Sequence, residues 1–258
     1  MLMKKIFLSL ALCVISKFAL CSMTITGTRI IFPASEKEVS VRTNNRGTTP
    51  PLVQVWVDDG RTSADINNMK IPFLMTPPVY RVEPGKGQTV RLIYNGMALP
   101  QDKESLYWFN MLEIPPVNND TNSNKNKLEL AFRTRIKIFY RPLSLKSSGA
   151  GEQDKLQWSL IDDVQKGRGI KVVNPTPYYM PFDGGSLKSA GMSYAINLDM
   201  ISPFSSNEVY TTRKLPAGNA VENITYRILN DFGAVRVQTM VNHSGTGWVI
   251  SEDKTDKK

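Results

Sequence analysis

The sequence predicts an all-β protein that consists of two β-sandwich domains in tandem. Three observations support this fold class. Short segments with alternating apolar and polar residues follow one another after residue 23, and clusters of Gly, Pro, Asn and Asp separate them. A stretch of small residues just before residue 151 divides these segments into two blocks. Nowhere in the sequence do apolar residues recur with the helical period over a convincing length.

Residues 1–22 are predicted to form a secretory signal peptide. Lys4 and Lys5 provide a positive start, and the apolar run Ile6–Ile15 is too short to span a bilayer. Small residues follow this run, as a signal peptidase requires. The rest of the chain is therefore expected to act outside the cytoplasm.

Two alternatives to a cleaved signal are less favoured. An uncleaved anchor disagrees with Lys17, which interrupts the apolar run, and a lipoprotein site at Cys21 disagrees with the large Leu20 before it. A cut after Cys21 or Ser22 removes both cysteines, since the other is Cys13, so the mature chain has no thiol. Its fold must then depend on its apolar cores alone.

The first block, residues 23–143, is predicted to be an immunoglobulin-like sandwich. Its first six predicted strands are Ile30–Phe32, Val39–Thr43, Leu52–Val57, Val79–Val82, Thr89–Tyr94 and Leu106–Ile114. With the long segment that follows them, they make seven strands within about 120 residues, which is the immunoglobulin-like number.

The seventh segment, Leu128–Pro142, is the most informative in the chain. Its residues alternate between an apolar row, which starts with Leu128, Leu130 and Phe132, and a largely basic row. A strand this long exceeds the usual five or six residues, so we expect one end to project beyond its sheet. Such a projection is either an aggregation hazard or a device for pairing with another chain. Periodicity alone is equally compatible with the ordinary core of the first domain.

The second block follows a predicted linker at residues 144–150 and spans residues 151–250. Its predicted strands are Leu156–Ile161, Ile170–Val173, Met192–Asn197, Val209–Thr212, Ile224–Leu229 and Val235–Val241. They predict a second, smaller sandwich. Residues 251–258 form a charged tail, which is expected to fray.

The residues needed for catalysis or metal binding are scarce. His243 is the one histidine and lies near the end of a strand, so a turn or surface role is favoured over a catalytic one. The S-x-x-K match Ser251–Lys254 falls in the charged tail, and Gly85–Gly87 lacks the helix that a dinucleotide loop needs. We therefore predict no enzyme, metal or cofactor, although counting carboxylates does not exclude an exported hydrolase.

The net charge and the hydropathy of the chain indicate which kinds of partner are not expected. The formal charge of +9 falls to +6 without the three lysines of the signal segment. An exported, mildly basic chain that lacks zinc-ligand spacing and RNA-binding signatures is not expected to bind nucleic acid. No later apolar run is long enough for a membrane-spanning helix, so membrane insertion is not expected.

Six sequence motifs together closely resemble the PapD-like periplasmic chaperones of the chaperone–usher pathway. In chain order they are Thr28–Phe32 (TRIIF), Leu99–Asn110 (LPQDKESLYWFN), Glu113–Pro116 (EIPP), Arg135–Pro142 (RIKIFYRP), Asn174–Tyr179 (NPTPYY) and Asn230–Gly233 (NDFG). They extend from the first mature strand to the end of the second domain, so the resemblance covers both blocks.

The resemblance implies two immunoglobulin-like domains in a boomerang arrangement and a role in the periplasm. In this family the chaperone lends a strand to a pilus subunit whose own sandwich lacks its last strand, and an outer-membrane usher later exchanges it. By this resemblance, Leu128, Leu130 and Phe132 belong to the donor strand. Whether the free protein covers this strand by dimerising stays open.

The resemblance also assigns two groups of charged residues. Arg29 and Lys137 match the pair that grips the terminal carboxylate of the subunit, and Glu104, Arg141 and Asp231 match an ion network between the domains. Guanidinium and ammonium groups suit a carboxylate ligand.

Two features of the matched region leave questions open. Lys137 has the opposite parity to Phe132 in the long strand, which a bulge or the strand twist could explain. The absence of cysteines in the mature chain favours the short-loop subfamily of these chaperones, although the polar loop Val117–Lys127 is somewhat long for it. The main alternative function is an exported two-domain adhesin or carbohydrate-binding module; a structural pilin would be smaller and would lack its final strand.

Overall fold

A computed structural model describes residues 22–61, 69–116, 130–146, 148–243 and 247–251. Within these ranges the chain forms 17 strands and one short 3-10 helix, Glu152–Lys155. The strands build two β-sandwiches, which confirms the predicted all-β fold with two immunoglobulin-like domains. The described segments include no helix that is long and apolar enough to cross a membrane.

The first sandwich packs a four-stranded sheet against a five-stranded sheet. The four-stranded sheet has the order β1 (Met23–Ile25), β3 (Glu38–Asn45), β7 (Gly87–Tyr94) and β5 (Phe73–Thr76). The five-stranded sheet has the order β2 (Arg29–Pro33), β9 (Phe132–Arg141), β8 (Ser105–Ile114), β4 (Leu52–Asp58) and β6 (Val79–Arg81). Alternate residues of these strands meet in one core, which includes the fully buried Phe32, Val90 and Phe109.

The second sandwich has a three-stranded and a five-stranded sheet. The smaller sheet has the order β10 (Gln157–Asp163), β11 (Gly167–Asn174) and β14 (Ser205–Tyr210). The larger sheet has the order β13 (Met192–Ile196), β12 (Phe182–Ser189), β15 (Asn223–Leu229), β16 (Val235–His243) and β17 (Gly247–Ile250). Trp158 stacks on Tyr226 in its core, with 4.8 Å between the ring centroids.

The long strand differs from its prediction at both ends. β9 spans Phe132–Arg141, so the predicted strand Leu128–Pro142 was too long by the described residues Leu130, Ala131 and Pro142, while Leu128 lies outside the described residues. β8 and β9 pair in continuous register from Ser105 opposite Tyr140 to Glu113 opposite Phe132. A bulge between Phe132 and Lys137 is therefore wrong. The two side chains lie on opposite faces of one regular strand.

The two domains meet where β8, β9 and the segment before β12 approach one another. The Glu104 backbone N–H donates to the Pro177 carbonyl over 2.9 Å, and the Phe139 and Tyr179 rings lie 5.7 Å apart. The turn between β15 and β16 reaches back to the first domain. Gly233 there has a φ of +82°, and a Cβ at this position would lie 2.1 Å from the Thr28 hydroxyl, so only glycine fits this approach.

Candidate functional site

The outer end of β9 has an open edge. β9 pairs with β8 from Phe132 to Tyr140, but its parallel partner β2 covers only Lys137–Arg141. From Phe132 to Ile136, no strand of the described part of the chain pairs with the other edge of β9. The backbone groups on that edge can therefore form a ladder with an added strand.

The apolar row of β9 divides into a buried and an exposed part. Ile138 and Tyr140 belong to the core of the first sandwich, and Ile136 marks its border. Phe132 lies on the same face but is 55% exposed, and Leu130, just before the strand, is also 55% exposed. The core interpretation thus holds for one half of the row, and the exposed half lies next to the open edge.

The opposite face of the open segment is fixed by two arginines and one buried carboxylate. Arg133 Nη2 lies 3.2 Å from Asp58 Oδ2, and Arg135 Nη2 donates to Asp58 Oδ1. The Arg133 guanidinium lies 5.0 Å from the centroid of the Trp56 ring, and that of Arg135 lies 4.1 Å from that of Trp108. These contacts hold the segment of β9 that is paired on one edge only against β4 and β8.

The ionisation of Asp58 is expected to make the free energy of unfolding depend on pH. Burial acts to raise its pKa, but hydrogen bonds from Arg135, the Gly60 N–H and Asn110 outweigh burial and hold the pKa below its ordinary value. A lowered pKa means stability that is present above the unfolded-state pKa of about 3.9 and is lost as pH falls through the folded-state pKa.

We therefore expect Asp58→Asn to lower the free energy of unfolding by about 1–3 kcal/mol at pH 7. Urea unfolding at pH 7 and at pH 3 measures this, and the gap between parent and variant should narrow at the lower pH. Asp102→Asn, at an exposed loop carboxylate, is the matched control. A gap that stays constant with pH would contradict the assigned role of the charge.

Arg29 and Lys137 lie side by side where the covered part of β9 begins. They are register partners of the parallel β2–β9 pair, and the Lys137 ammonium lies 5.2 Å from the centroid of the Trp108 ring. Arg29 Nε is buried without a hydrogen-bond partner. Among the described residues, neither side chain forms an ion pair.

Burial lowers the pKa of both cations. For Lys137, Asp199 opposes this effect and Arg29 adds to it; for Arg29, Asp231 opposes it. Two adjacent cations that are partly desolvated and have an unused donor favour an anionic ligand.

Arg141 connects three parts of the domain boundary. Its Nε donates to Glu104 Oε1 over 2.8 Å, and its Nη1 donates to Asp231 Oδ2 over 2.9 Å. Glu104 Oε2 also accepts the Tyr179 N–H over 2.9 Å. Arg141 and Glu104 are 4% and 3% exposed, so they form a buried ion pair. Removing either partner would leave the charge of the other buried and uncompensated.

The pKa values of this network follow from burial and pairing. Burial raises the pKa of Glu104 despite the opposing Arg141. Burial acts to lower the pKa of Arg141, but Asp231 and Glu104 outweigh it, so that pKa is raised. Arg141 therefore stays charged, and its charge compensates the buried carboxylate of Glu104.

A cavity of about 240 Å³ lies between the domains beside this network. Arg29, Phe139 and Arg141 line it from the first domain, and Tyr179 and Phe232 line it from the second. The 90% exposed Phe232 lies in the same turn as Asp231. Arg29 of the cationic pair and the ion network thus border one recess between the domains.

The structure brings together most of the residues that the sequence singled out. Glu104, Arg141 and Asp231 are in contact, Arg29 lies beside Lys137, and Leu130 and Phe132 are exposed near the open edge. Leu128 and the loop Val117–Lys127, on which the subfamily prediction rests, lie outside the described residues.

Sequence reasoning missed the residues of β4 and β8 that contact the arginines of β9. Trp56 and Trp108 lie on the outward face of the sheet, beneath the guanidinium groups of Arg133 and Arg135. Asp58 was not considered. Trp56 and Asp58 are two residues apart in one strand, so the sequence shows that they share a face. It contains no information on the cross-strand register that brings them to Arg133 and Arg135.

Family models match both domains. Residues 22–146 match the N-terminal domain of PapD, described as a pili and flagellar-assembly chaperone. Residues 151–240 match the C-terminal domain of the pili assembly chaperone PapD.

Similar proteins carry the same description. The probable fimbrial chaperone YadV of Escherichia coli (strain K12) is 40% identical over 220 residues, which cover 84% of this chain and 89% of YadV. The chaperone protein FimB/FhaD of Bordetella pertussis is 36% identical over 222 residues, 84% of this chain and 86% of that protein.

Solved structures agree with these matches. The crystal structure of the YadV chaperone superposes with a TM-score of 0.72 at 38% identity, covering 84% of this chain and 98% of that one. The SafB chaperone of Salmonella enterica, in complex with the SafA pilin, superposes with a TM-score of 0.69 at 25% identity, covering 87% and 98%.

Proposed function

The chain belongs to the PapD-like family of pilus-assembly chaperones, and from this premise we propose that it captures pilus subunits in the periplasm by lending them β9. The subunit adds a strand to the open edge from Phe132 to Ile136, while the exposed apolar row enters its incomplete core. The usher then receives the loaded subunit. The mature chain, after removal of the signal peptide, folds as domains at 23–143 and 151–250 joined by a linker at 144–150.

The observation that carries this proposal is the open edge beside two exposed apolar side chains. An unpaired edge with such residues is an aggregation hazard unless a partner covers it. Leu130 and Phe132 are each worth roughly 1.5–3 kcal/mol when fully buried in a partner. The Asp58 contacts to Arg133 and Arg135 keep this segment extended before the subunit arrives, so less ordering entropy is lost on binding.

The cationic pair supplies the register. A strand that slipped by one residue would turn every apolar side chain to the wrong face. We propose that Arg29 and Lys137 bind the terminal carboxylate of the subunit at the inner end of the open edge. The lowered pKa values and the unused Arg29 Nε donor support an anionic ligand there. The Glu104–Arg141–Asp231 network then sets the position of the second domain around this site.

We expect Phe132→Glu to abolish capture of pilus subunits, since it places a charge in the apolar groove. The experiment co-expresses the tagged chain in the periplasm with each candidate subunit of the source bacterium and identifies the co-purified protein by mass spectrometry. Leu130→Glu tests the neighbouring position in the same way.

The matched control for this experiment is Val164→Glu, at a 93% exposed apolar residue in the turn between β10 and β11. It should capture subunits as the parent does. Equal capture by all variants would contradict the role of β9. Failure of the parent to capture any subunit would favour the exported adhesin or carbohydrate-binding module.

A further inference from the structure

Glu113, near the end of β8, is a buried carboxylate that receives hydrogen bonds from the first described residues of the chain. It is 8% exposed. Its Oε2 accepts the Met23 backbone N–H over 3.0 Å, and its Oε1 accepts the Ser22 hydroxyl. Both donors are neutral in this geometry, whereas a buried carboxylate is favoured by a cationic partner.

The described residues around Glu113 do not provide that cation. Its cross-strand neighbours are Val53 of β4 and Phe132 of β9, both apolar. No ion pair among the described residues involves Glu113. Among the described residues, the segment that already contacts the carboxylate can supply a positive charge if its amino group is freed.

Ser22 is held in place from several sides. The Arg46 N–H donates to the Ser22 carbonyl over 2.6 Å. A Cβ at Gly47 would lie 2.6 Å from the Ser22 Cβ, so the two backbones approach closely. The next residue, Met23, is 1% exposed and anchors β1 in the core. The position of Ser22 beside Glu113 is therefore defined by packing.

We propose that signal peptidase cuts between Cys21 and Ser22 and that Glu113 binds the α-ammonium of Ser22. Hydrolysis of this peptide bond consumes one water and yields a carboxylate on Cys21 and an amine on Ser22, which is largely protonated at neutral pH. A cut after Ser22 would remove the hydroxyl that Glu113 uses. The family match to the N-terminal domain also begins at residue 22.

This pairing couples export to folding. Before cleavage the Ser22 nitrogen is a neutral amide, so Glu113 lacks its cation and the first domain is less stable. After cleavage the ion pair fixes β1 next to the end of β8. The inference does not depend on which partner the mature protein binds.

A double-mutant cycle tests the pair. The first form is exported with its own signal, and the second is made in the cytoplasm with two alanines left before Ser22 after removal of a tag. Each is prepared with Glu113 and with Glu113→Gln, and the equilibrium constant of unfolding is measured in urea. We expect Glu113→Gln to raise that constant at least about tenfold more in the exported form than in the extended form.

Two further measurements make the result decisive. The intact mass of the exported protein should correspond to a start at Ser22, and a start elsewhere would contradict the proposal. Glu83→Gln, at an exposed carboxylate, should act equally in both forms. If Glu113→Gln also acts equally in both, the ammonium is not its partner. If Glu113→Gln does not fold, the two forms that keep Glu113 still test the proposal, because the extended form must then be less stable than the exported one.

Discussion

Replacing Arg141 by methionine is expected to lower the free energy of unfolding by about 3–5 kcal/mol, the largest stability effect among the substitutions proposed for this chain. The reason is the carboxylate that the change leaves behind. Glu104 is almost fully buried and has the Arg141 guanidinium as its cation, so its charge becomes uncompensated. Calorimetry is suitable because it resolves the transitions of two domains.

The deficit of Arg141→Met should depend on pH. Burial already raises the pKa of Glu104 in the parent, and loss of Arg141 raises it further. A carboxyl group whose folded-state pKa is raised contributes stability below its unfolded-state pKa and loses it as pH rises through the folded-state pKa. The difference between variant and parent should therefore be smallest below the unfolded-state pKa of glutamate, about 4.3, and should widen as pH rises toward neutrality.

Two comparisons separate the buried charge from a general loss of packing. Arg91→Met removes an exposed arginine that pairs with Glu38, and it should leave the free energy of unfolding close to that of the parent. Adding Glu104→Gln to Arg141→Met should recover part of the loss, because the uncompensated charge is then absent. A double variant as unstable as the sum of both single changes would argue against the ion pair.

The sequence was informative wherever a property depends on local pattern. Alternation identified most strands of both sandwiches, since a strand with one buried face has a period of two. The short strands β1, β5 and β17 were missed because three or four residues barely display a period, whereas the equally short β6 was predicted because the turn residues Glu83–Gly85 follow it. β12 was missed because Gly184 and Gly185 interrupt its apolar pattern, at a point where the pairing register shifts.

The site was less accessible to sequence reasoning than the fold. The row from Leu128 to Tyr140 looks uniform, yet in the structure it changes from an exposed to a buried environment at Ile136. That change depends on how far β2 extends along β9, which is a matter of tertiary pairing. Asp58, Arg133 and Arg135 are likewise distant in sequence and meet through sheet register alone.

Lys137→Met is expected to weaken subunit binding by roughly thirty- to several-thousand-fold, which corresponds to about 2–5 kcal/mol for a desolvated charge that loses its partner. Methionine keeps an apolar stem over Trp108 but removes the ammonium. Lys171→Met, at an exposed lysine of β11 that pairs with Glu208, is the matched control and should bind as the parent does. Affinity is measured by competition of purified chaperone variants for a captured subunit.

A peptide with the sequence of the last strand of that subunit locates the lost interaction. Made with a free carboxylate, it should bind the parent far more tightly than the same peptide with a terminal amide, because the carboxylate forms charge-assisted hydrogen bonds to Lys137 and the Arg29 Nε donor, whereas the amide is neutral. In Lys137→Met the two peptides should differ much less. If amidation costs the same affinity in parent and variant, Lys137 does not bind the terminal carboxylate.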